Sequence, residues 1–242
     1  MATQIGGSTQ VVAQDLYTYS TVQQQQLGDK AFSSDGRAFR YARAGAVALV
    51  PGNVLQGPAV VASHVNLTPT AVAAVGATTI TVTLGATAAT LNQYAGGYAV
   101  VEIGTTGAGQ TLLITSHPAA NASATLTLTL SDAVQVATSG TVTVSLIANP
   151  YNGVIQSIAT TITSTVVGVA VGAIPAASFG WVATRGIAAT LVSGVPIVGS
   201  SVGVPTTTAG MAVADSAILA HIGTVAKAAI TTQNTPVFLT LD

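Results

Sequence analysis

Three stretches of the chain alternate apolar and threonine residues with period two: Ile80, Val82 and Leu84; Leu126, Leu128 and Leu130; Val142, Val144 and Leu146. That pattern predicts half-buried antiparallel strands, with side chains on one face packed and a threonine face outward. Residues 98–103 and 111–115 predict two more strands. The glycine-rich segment 104–109 between them predicts a hairpin turn. Asn149-Pro150-Tyr151-Asn152-Gly153 is a strong turn that ends this block. Further on, 181–185, 187–192, 222–230 and 237–241 predict short strands. Segment 195–204 is interrupted by glycine and proline, and 212–221 predicts one short helical turn. Near the start, Asp35-Gly36 signals a turn, and Arg37, Phe39, Tyr41 and Arg43 alternate with Ala38, Arg40 and Ala42 as a strand would.

Short strands at this spacing predict an all-β protein built as a barrel or sandwich. The layout expected is an extended N-terminal arm over 1–27, a discontinuous β-barrel-like domain from 28–67 plus 151–242, and an inserted antiparallel β domain over 68–150. The competing layout is a tandem of two β domains. The arm is polar, with Gln23, Gln24, Gln25 and Gln26 in a row. Such a segment has little to bury in a core of its own and is expected to make intersubunit contacts. The insert is expected to be displayed outward.

Charge changes the picture most. Charged residues are 5% of the 242, against roughly 25% in an ordinary soluble domain. A compact monomer of this mass exposes about 10,000 Å². Six basic and seven acidic residues leave roughly 700–800 Å² per charge, close to one partner's share of a standard interface. The charges are also clustered: Lys30, Arg37, Arg40 and Arg43 lie with Asp29 and Asp35. Large uncharged patches follow, as expected of a chain packed against neighbours. A net charge of −1 gives no basic footprint for nucleic acid. Cysteine is absent, so disulfides and thiolate metal sites are excluded. The first residues lack the basic start and apolar core of a secretory signal. The uncharged run 158–177 is too rich in threonine and glycine for a membrane helix.

Candidate chemistry is sparse. His64, His117 and His221 are far apart in sequence, and the carboxylates Glu102, Asp132 and Asp215 form no recognisable pair. A Ser63–His64–Asp132 set has no supporting spacing, and no G-x-S-x-G elbow occurs. Gly104 to Gln110 leads into a strand and lacks the lysine of a phosphate loop. Asp29 and Asp35 lack calcium-loop spacing. No enzyme activity, cofactor, metal, nucleic acid or membrane partner is expected. The residues expected to meet a protein partner are Gln23, Gln24, Gln25, Gln26, Arg37, Phe39, Tyr41 and Arg43. An arginine and aromatic face has the composition of interface hot spots. The alternative is that Asp29 and Asp35 neutralise these arginines within one subunit.

The phrases Asn92-Gln-Tyr-Ala-Gly-Gly-Tyr98, Gly109-Gln-Thr-Leu-Leu-Ile-Thr-Ser-His117, Ile147-Ala-Asn-Pro-Tyr-Asn-Gly-Val-Ile155, Phe179-Gly-Trp-Val-Ala-Thr-Arg-Gly-Ile187 and Ile222-Gly-Thr-Val-Ala follow one another along the chain. In order and composition the chain from about Gly28 onward resembles the capsid decoration, or cement, proteins of tailed phages. The resemblance implies a β-rich structural protein made in the host cytoplasm and placed on the capsid exterior. There it would bind the major capsid protein lattice, commonly as a homotrimer. Another virion component, such as a tail or fibre subunit, or a surface-array module is the alternative. The sequence shows neither heptads nor a fixed repeat period.

Overall fold

Chain order in the computed structural model is nested. It describes residues 14–159, 161–205, 207–214 and 218–242, with the backbone of 6–7 and 10–11. The first strands are β1 (Gly6–Gly7), β2 (Gln10–Val11), β3 (Lys30–Phe32), β4 (Ala38–Ala44) and β5 (Val54–Gln56). Next come β6 (Thr79–Thr83), β7 (Tyr98–Val101), β8 (Thr111–Ser116), β9 (Thr125–Leu130) and β10 (Val144–Ile147). The chain then returns with β11 (Asn152–Gln156), β12 (Val166–Ala170), β13 (Phe179–Ser193), β14 (Ser201–Pro205), β15 (Ala212–Val213), β16 (Ile218–Val225) and β17 (Gln233–Thr240). One 3₁₀ turn covers Ala62–His64, and no α-helix occurs among the described residues. The protein is therefore all-β, as the alternation predicts. Two compact units result: Met1–Pro58 with Pro150–Asp242, and Ala59–Asn149.

The second unit is a five-stranded antiparallel sheet in the order β10-β7-β8-β9-β6. Its strands bury every second residue: Ile80 and Val82, Leu112 and Ile114, Leu126, Leu128 and Leu130. Thr79, Thr81 and Thr83 stand opposite Thr129, Thr127 and Thr125 on the other face. Leu67 bridges to Val144 of β10, and Pro69 to Val82 of β6, so one short segment touches both edge strands of the sheet. This corrects the expected boundary at 68. Residues 59–67 belong with the second unit because Leu67 is part of its core.

The first unit is a ten-stranded sheet centred on the fifteen-residue β13. This strand pairs with β4 and β12 through its first half and with β17 and β15 through its second. The pairings close two circuits through β13. One runs β13-β12-β5-β11-β4, the other β13-β17-β16-β14-β15. Ala42, Leu55, Val154, Val167 and Val182 pack together in one core cluster. Val192, Val204, Ile222, Val237 and Leu239 belong to another. Gly186, with φ +84, sits where β13 leaves β4 and continues along β17. A Cβ there would approach the Arg37 side chain to 2.8 Å, so glycine is required for both conformation and space.

The segment 212–221 carries β15 and β16 where a helical turn was expected; cross-strand pairing to β14 overrides the local alanine content. Residues 14–27 are not a free arm, because Leu16 is fully buried in the first unit's core and Ser20 bridges to Phe179. Most of the arm before Gln14 lies outside the described residues.

Candidate functional site

Three of the clustered cations, Arg37, Arg40 and Arg43, lie on strand β4 or immediately before it. The strand's side chains divide by alternation, but not as an exposed hot spot. Phe39 and Tyr41 are both fully buried, which removes them as contacts for a partner. Tyr41 lies edge-on to Trp181 at 5.1 Å and stacks on Phe179 at 6.2 Å. The protein's own N-terminal segment covers this aromatic cluster. The Tyr41 hydroxyl donates to Gln14 Oε1 at 2.8 Å, and the Trp181 indole N–H donates to the Gln14 carbonyl at 3.1 Å. Gln14 Nε2 in turn donates to the carbonyls of Thr18 and Phe179. Burial raises the Tyr41 pKa, which keeps the phenol a donor in this network.

The four clustered cations are largely occupied internally. Arg37 pairs with Asp35 at 2.8 Å. Arg40 makes a two-point contact with Asp242 at 2.8 and 2.9 Å and donates to the Gly28 carbonyl. Lys30 reaches the same carboxylate at 3.5 Å. Hydrogen bonding from Arg40, above all, holds the Asp242 carboxyl down at about 2. Arg43 donates to the Ala177 carbonyl at 3.4 Å and lies 5.8 Å from the Phe179 ring. Internal neutralisation is thus partly as the sequence alternative had it, through Asp35. Asp242, distant in sequence, takes the place expected of Asp29. Asp29 instead accepts from the Gln26 backbone N–H. Gln23, Gln24 and Gln26 are exposed and Gln25 half-buried. They line an open polar basin with Asp29, and the Gln24 N–H is tied to the Tyr41 hydroxyl.

The structure brings together two histidines that sequence separates. In the second unit, His64 and His117 flank the buried Tyr94. The Thr87 carbonyl can only accept, so His64 Nε2 donates to it at 2.9 Å and Nδ1 faces the Tyr94 hydroxyl. His117 Nε2 accepts the Tyr94 backbone N–H at 2.9 Å, while Nδ1 donates to the Pro118 carbonyl at 2.8 Å. Every ring nitrogen of His64 and His117 is used, leaving none to take a proton from Ser63, whose buried hydroxyl has no partner among the described residues. Burial lowers the His117 pKa, and His64 lowers it further. Burial pushes the Tyr94 phenol up to about 12. This is a structural cluster. Glu102 accepts from Ser145, Asp132 is exposed, and Asp215 lies outside the described residues. Among the described residues no three metal-ligating side chains converge, and no helix is long and apolar enough to cross a membrane.

The surface features that remain are apolar. Val195, Ile197, Val198 and Ile230 are 62–72% exposed on two loops of the first unit joined by hydrogen bonds from Ala229 to Pro196 and from Gly194 to Thr231. Along β13 and β17, Ile187 and Phe238 face each other and are nearly half exposed, next to Arg185. Sequence reasoning missed Ile187 and Phe238 because alternation marks a strand's apolar positions as core. The available signal was Arg185, a charge inside an otherwise neutral strand. No family model matches this chain, and neither a curated protein nor a solved structure matches it.

Proposed function

We propose that the chain is a structural virion protein that decorates and stabilises a phage capsid from outside by binding the major capsid protein lattice, as a homotrimer. One observation carries the reading: three of the four clustered cations are paired within the fold while aliphatic side chains stand in solvent. Lys30, Arg37 and Arg40 are tied to Asp35 and Asp242, whereas Val195, Ile197, Val198 and Ile230 are held out on hydrogen-bonded loops. Apolar groups presented in this way lose nothing to desolvation when covered and add about 25 cal/mol per Å² buried. A protein of this kind runs no reaction. It binds the assembled lattice and stabilises it by mass action.

The test is cosedimentation of the full chain with capsids of the phage whose genome encodes it, followed by imaging of the particle. Capsid-bound density on the exterior and a raised capsid melting temperature are expected. Binding should persist near 1 M salt, where the Debye length is about 3 Å. A chain that stays in the supernatant at micromolar concentration overturns the reading.

A further inference from the structure

On either side of Gly186 the outward row of β13 is Arg185, Ile187 and Ala189, and the register sets Thr240, Phe238 and Pro236 of β17 opposite them. A cavity of about 480 Å³ lies on this row, lined by Asp35, Arg37, Arg185, Ile187 and Phe238 among others. A second cavity, lined by Tyr17, Pro51, Ala189 and Asn234, shares Arg37 and Ile187 with it. The two adjoin at Arg37 and Ile187 within the first unit, and the groove that holds Arg185 and Phe238 is the first of them. Its floor is apolar: Ile187 is 45% exposed and Phe238 44%. Its charge is unbalanced. Arg37 is answered by Asp35 at 2.8 Å, but Arg185 is exposed and makes no ion pair among the described residues. Two arginines against one aspartate leave the groove one positive charge.

We propose that this groove receives an extended segment of a partner protein that sets one carboxylate on Arg185 and an adjacent apolar side chain on Ile187 and Phe238. The guanidinium fork suits a carboxylate in a two-point contact, and the phenylalanine and isoleucine supply the apolar anchor that interfaces favour. Recognition runs through side chains, because β13 and β17 already pair with each other along this row and offer no free backbone edge. A nucleic acid fits poorly, since phosphate tracking needs a run of cations and the groove has one to spare. The inference rests on the capsid-binding reading only for who supplies the segment.

The experiment titrates the isotope-labelled full chain with acetyl-Leu-Asp-Leu-Val-amide and with the same peptide carrying Asn for Asp, following backbone amide shifts. Shifts confined to Arg37, 185–189 and 237–239 are expected, with the Asn peptide at least about fivefold weaker. Arg185→Gln should erase the difference between the two peptides, and Phe238→Ser should weaken both. Both positions are exposed, so circular dichroism should show the fold intact. Equal affinity for the two peptides, shifts elsewhere, or no shift at about 10 mM peptide overturns the proposal. Capsid cosedimentation separates the two readings. If the wild-type chain binds capsids but not the acidic peptide, the groove assignment alone falls. If it binds the peptide but not capsids, the capsid reading falls and the groove stands.

Discussion

The two units solve the same burial problem with opposite means. The unit spanning Ala59–Asn149 is a regular antiparallel sheet that contains only two charged residues, Glu102 and Asp132, and no lysine or arginine. Threonine keeps its outer face wet. The other unit holds all six cations and is organised by long-range closure, with β13 collecting partners from β4 to β17. One unit is specified by local period-two patterning, the other by a few residues that meet from distant parts of the chain. The difference bears on stability, on acid sensitivity and on which surfaces are open to a partner.

The largest expected effect separates the units energetically. Trp181 in one and Leu128 in the other are both buried to 1% exposure or less. Truncation to alanine should cost about 3–5 kcal/mol for Trp181 and about 2–5 kcal/mol for Leu128. If the units unfold as separate cooperative bodies, calorimetry resolves two transitions, Trp181→Ala lowers one and Leu128→Ala lowers the other. A single transition moved by both substitutions would mean that the two cores unfold together. Leu16→Ala follows, at about 2–4 kcal/mol, because this side chain lies in the Tyr41–Trp181 core. It should lower only the Trp181 transition. An unchanged transition would return residues 14–27 to the role of a detachable arm.

These residues also show why sequence carried some features and not others. The all-β class and the strands of the second unit follow from alternation, since Ile80–Val82 and Leu126–Leu130 each need only their own neighbours to declare a buried face. The boundary near Leu67 was missed because its reason is a bridge to Val144, far along the chain. The burial of Phe39 and Tyr41 was missed for the same reason. A seven-residue strand shows which side chains share a face. It does not show that Gln14 and Leu16 come back to cover that face. The Asp242 contact to Arg40 spans almost the whole chain, and no local spacing signals it.

Acid should sharpen the contrast next. His117 is buried and accepts a backbone N–H at Nε2, so a proton there would set two donors against each other. Burial lowers the folded His117 pKa below the value of about 6.5 in an unfolded chain. The unfolded state therefore takes up the proton first. The His117 contribution to the second unit's stability is fully present above about pH 6.5 and fades progressively below. In the first unit the pairing of Asp242 with Arg40 and Lys30 acts at lower pH. With a folded value of about 2, that contribution is present above about pH 4 and fades as the pH falls toward 2. Melting curves between pH 7.5 and 5 should move the Leu128 transition and not the Trp181 transition, and His117→Gln should flatten the dependence. Parallel loss in both units would put the acid sensitivity elsewhere.

The smallest expected effect asks what the neutral face of the second unit is for. Thr81 and Thr127 face each other across β6 and β9 with their hydroxyls 3.0 Å apart, and both side chains point outward. A hydroxyl pair in solvent contributes little, because water replaces it on either side. Lysine also fits an outward strand position, extending its stem along the sheet with its ammonium in water. Thr127→Lys should therefore change the stability of this unit by no more than about 0.5 kcal/mol. Capsid binding gives the independent reading. A lysine placed in a face that is covered on docking must be desolvated without a partner, so contact through this face makes Thr127→Lys bind more weakly while the melting curve stays put. Contact through the first unit alone leaves binding unchanged. In that case the threonine surface serves solubility without charge, and the docking energy belongs to the aliphatic loops and the β13–β17 face of the other unit.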